Sequence, residues 1–124
     1  MSNPHNLYRD EILEHFRDPQ NFGKLSAFDN SSRQHNPLCG DEIEMFVKLE
    51  GDNIYDIGFT GRGCAISISS ASILTEYVKE KDTKHAREIS EDDMMGLLGV
   101  EVSDARKKCA LLGLSVLRDC LNDQ

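Results

Sequence analysis

The sequence predicts a small α+β domain in which helices pack on an antiparallel sheet. Three observations point there. Apolar residues recur at helical spacing near the N-terminus, an alternating segment and a second strand-like one flank a Gly-Asp-Asn turn, and helical spacing returns from residue 65 to the end.

Tyr8, Ile12, Leu13 and Phe16 form one stripe, which predicts a helix over residues 6–17 with Asn6 as its N-cap. DPQNFG at 18–23 ends it. Residues 24–37 are polar and irregular, and SSRQHNP at 31–37 reads as mobile. Ile43, Met45, Val47 and Leu49 then alternate with Glu42, Glu44, Phe46 and Lys48, as expected of a half-buried strand. Gly51-Asp52-Asn53 turns the chain, and Ile54–Thr60 returns as the second strand of a hairpin. GRG at 61–63 is expected to break that strand. A helix is predicted over 65–80, with Ala71, Leu74 and Val78 on one stripe widened by Ile66, Ile73 and Tyr77; its serine-rich start also fits a strand. The charged residues 81–89 read as a connection. Ser90 followed by Asp93 marks a capping box for a helix over 91–98, and Gly99 stops it. A last helix is predicted over 104–121, capped by Ser103 and burying Ala105, Leu112, Val116 and Leu117.

The 124 residues fit one domain, 1–124, with no repeat or linker. No apolar run reaches the ~18–20 residues that span a bilayer, and the polar start shows no signal-peptide core, so a cytoplasmic location without membrane attachment is expected. A net charge of −8 argues against nucleic acid as a partner, because phosphate binding needs clustered cations.

Four cysteines, Cys39, Cys64, Cys109 and Cys120, are expected to be reduced in such a compartment, which favours metal binding or sulfur chemistry over disulfides. Cys39 precedes the hairpin's first strand and Cys64 follows its second. Antiparallel pairing therefore brings Cys39, Asp41 and Cys64 to one end. In a regular strand residues 39 and 41 lie about 7 Å apart, too far for ligands about 2.1–2.3 Å from one ion. Gly40 lets the backbone bend so that both converge, and Pro37 stiffens the approach. Cys64 stands at a helix N-terminus, where free N–H groups favour an anion, with Gly63 beside it to allow close approach. Cys109 follows Arg106, Lys107 and Lys108, whose charges also favour an anion. Cys120 is 11 residues further on, about 16 Å at the helical rise, so it cannot share an ion with Cys109 and reads as packing. His5, His15 and His85 read as surface residues, and His35 as a loop histidine with a base or ligand role as the alternative. A domain with purely structural zinc and a thiol enzyme using Cys39 with His35 are the competing functional readings.

LYRDEILEHFRDPQNFGKL, NPLCGD, GRGCAIS and RKKCALL, in this order, resemble the U-type iron–sulfur cluster scaffold family, comprising IscU, SufU and the amino-terminal domain of NifU. The resemblance covers nearly the whole chain. It implies a three-stranded antiparallel sheet covered by helices, the third strand falling within 24–35. It also implies a site made of Cys39, Asp41, Cys64 and Cys109, with Gly40, Gly63, Arg106 and Lys108 in support. The implied activity is to accept sulfur from a cysteine desulfurase, with Cys39 the candidate persulfide acceptor, and to assemble a transient [2Fe–2S] cluster for apo iron–sulfur recipient proteins. The alternative is a SufU-like relay that holds Zn²⁺ at the same residues and passes sulfur on. Lys108 stands where IscU-like members carry histidine, and GVEVSDARK replaces their LPPVK-type motif, so no dedicated Hsp70 chaperone is expected. RKKC is SufU-like, whereas the 45 residues from Cys64 to Cys109 leave no room for the usual SufU insertion.

Overall fold

A left-handed glycine sets the hairpin around which the molecule is built. Gly51, at φ 61°, takes the first position of a two-residue turn and joins β2 (Glu42–Glu50) to β3 (Asn53–Arg62), as a type II′ turn requires. The structure is a computed structural model that describes residues 4–37 and 40–122, with side chains of the first helix from Asp10 onward. In β2, Ile43, Met45 and Val47 point inward and are fully buried, as the alternation predicts. Phe46, on the opposite face, is buried as well, because Phe28 packs edge-on against it with ring centroids 5.1 Å apart. β3 does not break at the glycines but runs on to Arg62. Gly61 lies against Glu42, where an added Cβ would come within 2.3 Å of the Glu42 carbonyl oxygen, so the glycine permits the pairing rather than ending it.

The third strand is present: β1 (Asn30–His35) pairs antiparallel with β2, giving the order β1-β2-β3. The reading of 24–37 as irregular and mobile is therefore corrected over these six residues, and His35 belongs to a strand rather than a loop. The inward side chains of β1 are polar, and they hold α5 (Asp104–Asn122) by hydrogen bonds. Asn30 Nδ2 donates to the Cys120 carbonyl at 2.9 Å, and the Ser115 hydroxyl donates to Gln34 Oε1 at 2.9 Å.

α1 (Pro4–Arg17) begins two residues before the predicted cap, so Asn6 lies inside it; proline suits a first turn because its missing N–H has no helical partner there. α2 (Ala65–Val78) is buried nearly all round, its hydroxyls included. Buried hydroxyls are costly unless hydrogen-bonded, and most of these tie neighbours to the helix. The Ser69 hydroxyl donates to the Ile12 carbonyl at 2.6 Å. Ser72 Oγ is 2.7 Å from His15 Nδ1 and accepts the Gln20 N–H at 2.8 Å, and Asn21 Nδ2 donates to Thr75 Oγ1 at 3.2 Å. His15 is thus half-buried against α2 rather than a surface residue. Small residues let α2 and α5 approach closely: a Cβ on Gly113 would sit 3.3 Å from the Ala71 Cα. Leu74, Leu114, Leu117 and Leu121 close the core over β2 and β3.

Residues 81–89 are not merely a connection. Asp82 accepts the His85 N–H at 2.6 Å and caps the single turn α3 (Thr83–Arg87), whose Thr83 and Ala86 are buried. α4 (Glu91–Leu98) matches its prediction, with Ser90 and Asp93 exchanging capping-box hydrogen bonds, both 3.0 Å, and Gly99 left-handed at φ 72°. The Ser90 backbone N–H and hydroxyl hold the Asp93 carboxyl below the usual carboxylate range, helped by nearby His85. A depressed carboxyl contributes stability above its unfolded pKa and loses it on acidification. Ser90→Ala removes the side-chain acceptor of the Asp93 N–H and is expected to cost about 1 kcal/mol, read by urea unfolding; the Ser90 N–H that holds the carboxylate remains, so the stability lost on acidification should persist in the variant. Ala105 proves exposed, because Asp104–Lys108, the first turn and a half of α5, projects where, among the described residues, no element covers it.

Candidate metal centre

The hairpin register fixes the geometry of the site. Glu42 pairs with Arg62 and Glu44 with Thr60, so the residues just outside the ladder, Asp41 and Gly63, face each other at its end. On the β1 side, the Asn36 N–H donates to the Asp41 carbonyl and the Gly40 N–H to the Asn36 carbonyl, both at 2.8 Å. These bonds close the loop from Asn36 to Asp41, and Gly40 takes φ 76°, a left-handed conformation that side chains disfavour. The backbone is bent at Gly40, and the convergence of Cys39 with Asp41 expected from that bend falls outside the described residues. Leu38 and Cys39 lie outside the described residues.

Cys64 is the N-cap of α2, with φ −73° and ψ 168°, and its thiol makes no capping bond. The sulfur faces Asp41 instead. Asp41, 3% exposed, accepts the Cys64 N–H on Oδ1 at 3.1 Å and the Ser67 hydroxyl on Oδ2, while Cys64 Sγ lies 3.6 Å from Oδ2. A carboxylate there gains from the positive end of the α2 dipole. Gly63 stands against its other side, where an added Cβ would lie 2.7 Å from Oδ1. Cys109, 5% exposed, completes the group: one ligand atom from each of Asp41, Cys64 and Cys109 lies within 4.8 Å of the others.

The donor set fits a metal ion. Around a tetrahedral ion about 2.3 Å from sulfur and about 2.0 Å from oxygen, a sulfur–oxygen edge is about 3.5 Å; the Cys64–Asp41 separation of 3.6 Å matches it without rearrangement. The same separation suits a thiol donating to a carboxylate, so the pair is satisfied with or without an ion.

Structure thus brings together three of the four expected ligands. Arg106 and Lys108 are exposed on the projecting turns of α5 just ahead of Cys109. Cys120 is fully buried, its Sγ 3.7 Å from the Met45 carbonyl, as expected of a packing residue. Ser67 was not singled out by the sequence reading. Its signal was its place three residues after the cap cysteine, on the first turn, where a side chain reaches back over the helix end.

A three-stranded antiparallel sheet under helices, with cysteines and an aspartate gathered where the hairpin meets a helix N-terminus, defines a class of small α+β protein with one thiol–carboxylate centre. The chain belongs to the family described as the NifU-like N-terminal domain, which it matches over residues 7–123. It is 38% identical to the zinc-dependent sulfurtransferase SufU of Bacillus subtilis, covering 90% of this chain and 86% of that one. That alignment spans 131 residues, more than this chain has, so SufU carries residues that are missing here. It is 32% identical to the iron–sulfur cluster assembly scaffold protein IscU 1 of Archaeoglobus fulgidus, covering 94% and 76%. Among solved structures, a putative iron–sulfur cluster assembly scaffold protein for the SUF system from Fervidobacterium islandicum superposes with a TM-score of 0.76 at 26% identity, covering 96% and 99%. The α+β fold with its three-stranded sheet is that of these neighbours. Among the described residues, no helix is long and apolar enough to cross a membrane.

Proposed function

We propose that this protein is an iron–sulfur cluster assembly scaffold of the IscU/SufU type, which accepts sulfur from a cysteine desulfurase and assembles and hands on a [2Fe–2S] cluster at Cys39, Asp41, Cys64 and Cys109. The convergence of Asp41, Cys64 and Cys109 carries the reading. Cys39 is two residues from Asp41, and the left-handed Gly40 between them is the bend that would let both side chains converge on one ion, so Cys39 is the proposed fourth ligand. Thiolates suit iron–sulfur clusters, and a single harder carboxylate among them suits a cargo that must leave. Sulfur arrives when the Cys39 thiolate attacks the terminal sulfur of the desulfurase persulfide. A new S–S bond forms on Cys39, the donor's S–S bond breaks, and the desulfurase cysteine leaves as thiolate. Recipients are apo iron–sulfur proteins, and the cytoplasm is the compartment proposed for the exchange.

A second reading is favoured by the SufU likeness and by Lys108 ahead of Cys109: a zinc-dependent sulfur relay using the same residues. Bound zinc would hold the thiolates deprotonated and supply Lewis acidity. Purification under anaerobic conditions with metal and sulfide analysis separates the two. Iron with acid-labile sulfide at about 1:1 is expected for the scaffold, whereas zinc without sulfide favours the relay, since zinc also fills an empty cluster site during expression. Metal content that survives Asp41→Ala and Cys64→Ala overturns both. Mass spectrometry after desulfurase turnover should place persulfide on Cys39; trapping it on Cys109 and never on Cys39 removes that assignment.

A further inference from the structure

We propose that Ser67 is the positioning residue of the centre, its hydroxyl fixing the orientation in which the Asp41 carboxylate is presented to the sulfurs of Cys64 and Cys109. This rests on Asp41 being a ligand. Ser67 is fully buried, and its hydroxyl donates to Asp41 Oδ2 while lying 3.5 Å from Cys64 Sγ. The Cys64 N–H holds Oδ1. Both carboxylate oxygens are therefore pinned from the first turn of α2, and Gly63 occupies the remaining side. Rotation about the terminal bond of an aspartate is otherwise broad and nearly two-fold, so an unpinned carboxylate would present either oxygen at varying angles. The hydroxyl has one proton. Because it goes to Asp41, the carboxylate stays hydrogen-bonded when a departing ion releases it. The neighbouring hydroxyl of Ser69 faces α1 instead, donating to the Ile12 carbonyl.

Zinc affinity measured by chelator competition on the full chain tests this. Ser67→Ala is expected to weaken zinc binding by about 10- to 100-fold, the usual effect of removing an outer partner of a ligand. Ser69→Ala, which removes a buried hydroxyl from the same helix, should leave zinc affinity unchanged. In an Asp41→Ala background Ser67→Ala should have no further effect; a full additional loss there overturns the proposal, because Ser67 would then act on something other than Asp41. Ser67→Thr keeps the donor while disturbing the packing and should retain affinity within about threefold; a loss equal to that of alanine also overturns it. If Asp41→Ala itself leaves zinc affinity unchanged, the ligand set proposed above fails, and the role of Ser67 falls with it. If Asp41→Ala weakens binding and Ser67→Ala does not, only the positioning role is lost.

Discussion

Cys109→Ala is expected to lower zinc affinity by about two to three orders of magnitude while leaving the fold intact. Zinc held by four protein ligands in small domains is bound by about 10–16 kcal/mol, so one thiolate accounts for roughly 3 kcal/mol of it. The rest of α5 holds its place without Cys109. Gly113 packs on Ala71, Gln34 and Ser115 tie the helix to β1, and Leu114, Leu117 and Leu121 are buried in the core. The far-UV spectrum should therefore be unchanged, and only chelator competition should report the loss. Cys120→Ala is the matched control. It removes a fully buried thiol from the same helix, costs about 1–2 kcal/mol of stability as a small core truncation, and should leave zinc affinity at the parent value. Equal losses from the two substitutions would mean that Cys109, too, is only packing.

The part of this arrangement that the sequence displays is the part set by local pattern. Alternation from Ile43 to Leu49 and the Gly51 turn define the hairpin, and the hairpin alone carries Asp41 and Cys64 to a common end. The cap of α4 was legible for the same reason, since Ser90 and Asp93 are three residues apart. β1 was not. Asn30, Ser32 and Gln34 present no apolar face, and what recruits them is α5, more than 80 residues away, through Cys120, Asp119 and Ser115. Only the family resemblance placed a strand there. The helix over 65–80 was legible from its apolar stripe and forms as Ala65–Val78, but its serines left the start open to a strand, because nothing local shows the distant partners that their hydroxyls find. Ser67 is one of them. Its place three residues after the cap cysteine puts its hydroxyl over the helix end, but its partner Asp41 is 26 residues away, so that place alone does not say which group it grips. Phe46, half of a cross-loop aromatic pair, broke the strand alternation through Phe28, which no period connects to it.

Gly63→Ala should disable the centre from outside its ligand set. Gly63 is exposed, and its φ lies outside the left-handed region, so alanine is conformationally acceptable there. The obstacle is Asp41. A Cβ on residue 63 would stand 2.7 Å from Oδ1, 2.8 Å from Cγ and 3.1 Å from the Cβ of Asp41, so the contact reaches along the whole side chain rather than its tip. The carboxylate has little room to retreat, because Ser67 and the Cys64 N–H hold its two oxygens. Relief has to come from turning Asp41 away, which breaks those bonds, or from parting the hairpin end, which separates Asp41 from Cys64. Either movement withdraws one ligand, and zinc affinity is expected to fall by about 100-fold, the share of one ligand in four, with unfolding free energy reduced by about 1–3 kcal/mol for the disturbed buried hydrogen bonds. Gly96→Ala provides the contrast. Its added Cβ meets nothing within 4 Å on the exposed face of α4, so it should stabilise the helix by about 1 kcal/mol and leave zinc affinity untouched. Retention of parental affinity by Gly63→Ala would show that Asp41 is not held where a ligand must be, and that the centre is made of sulfur alone.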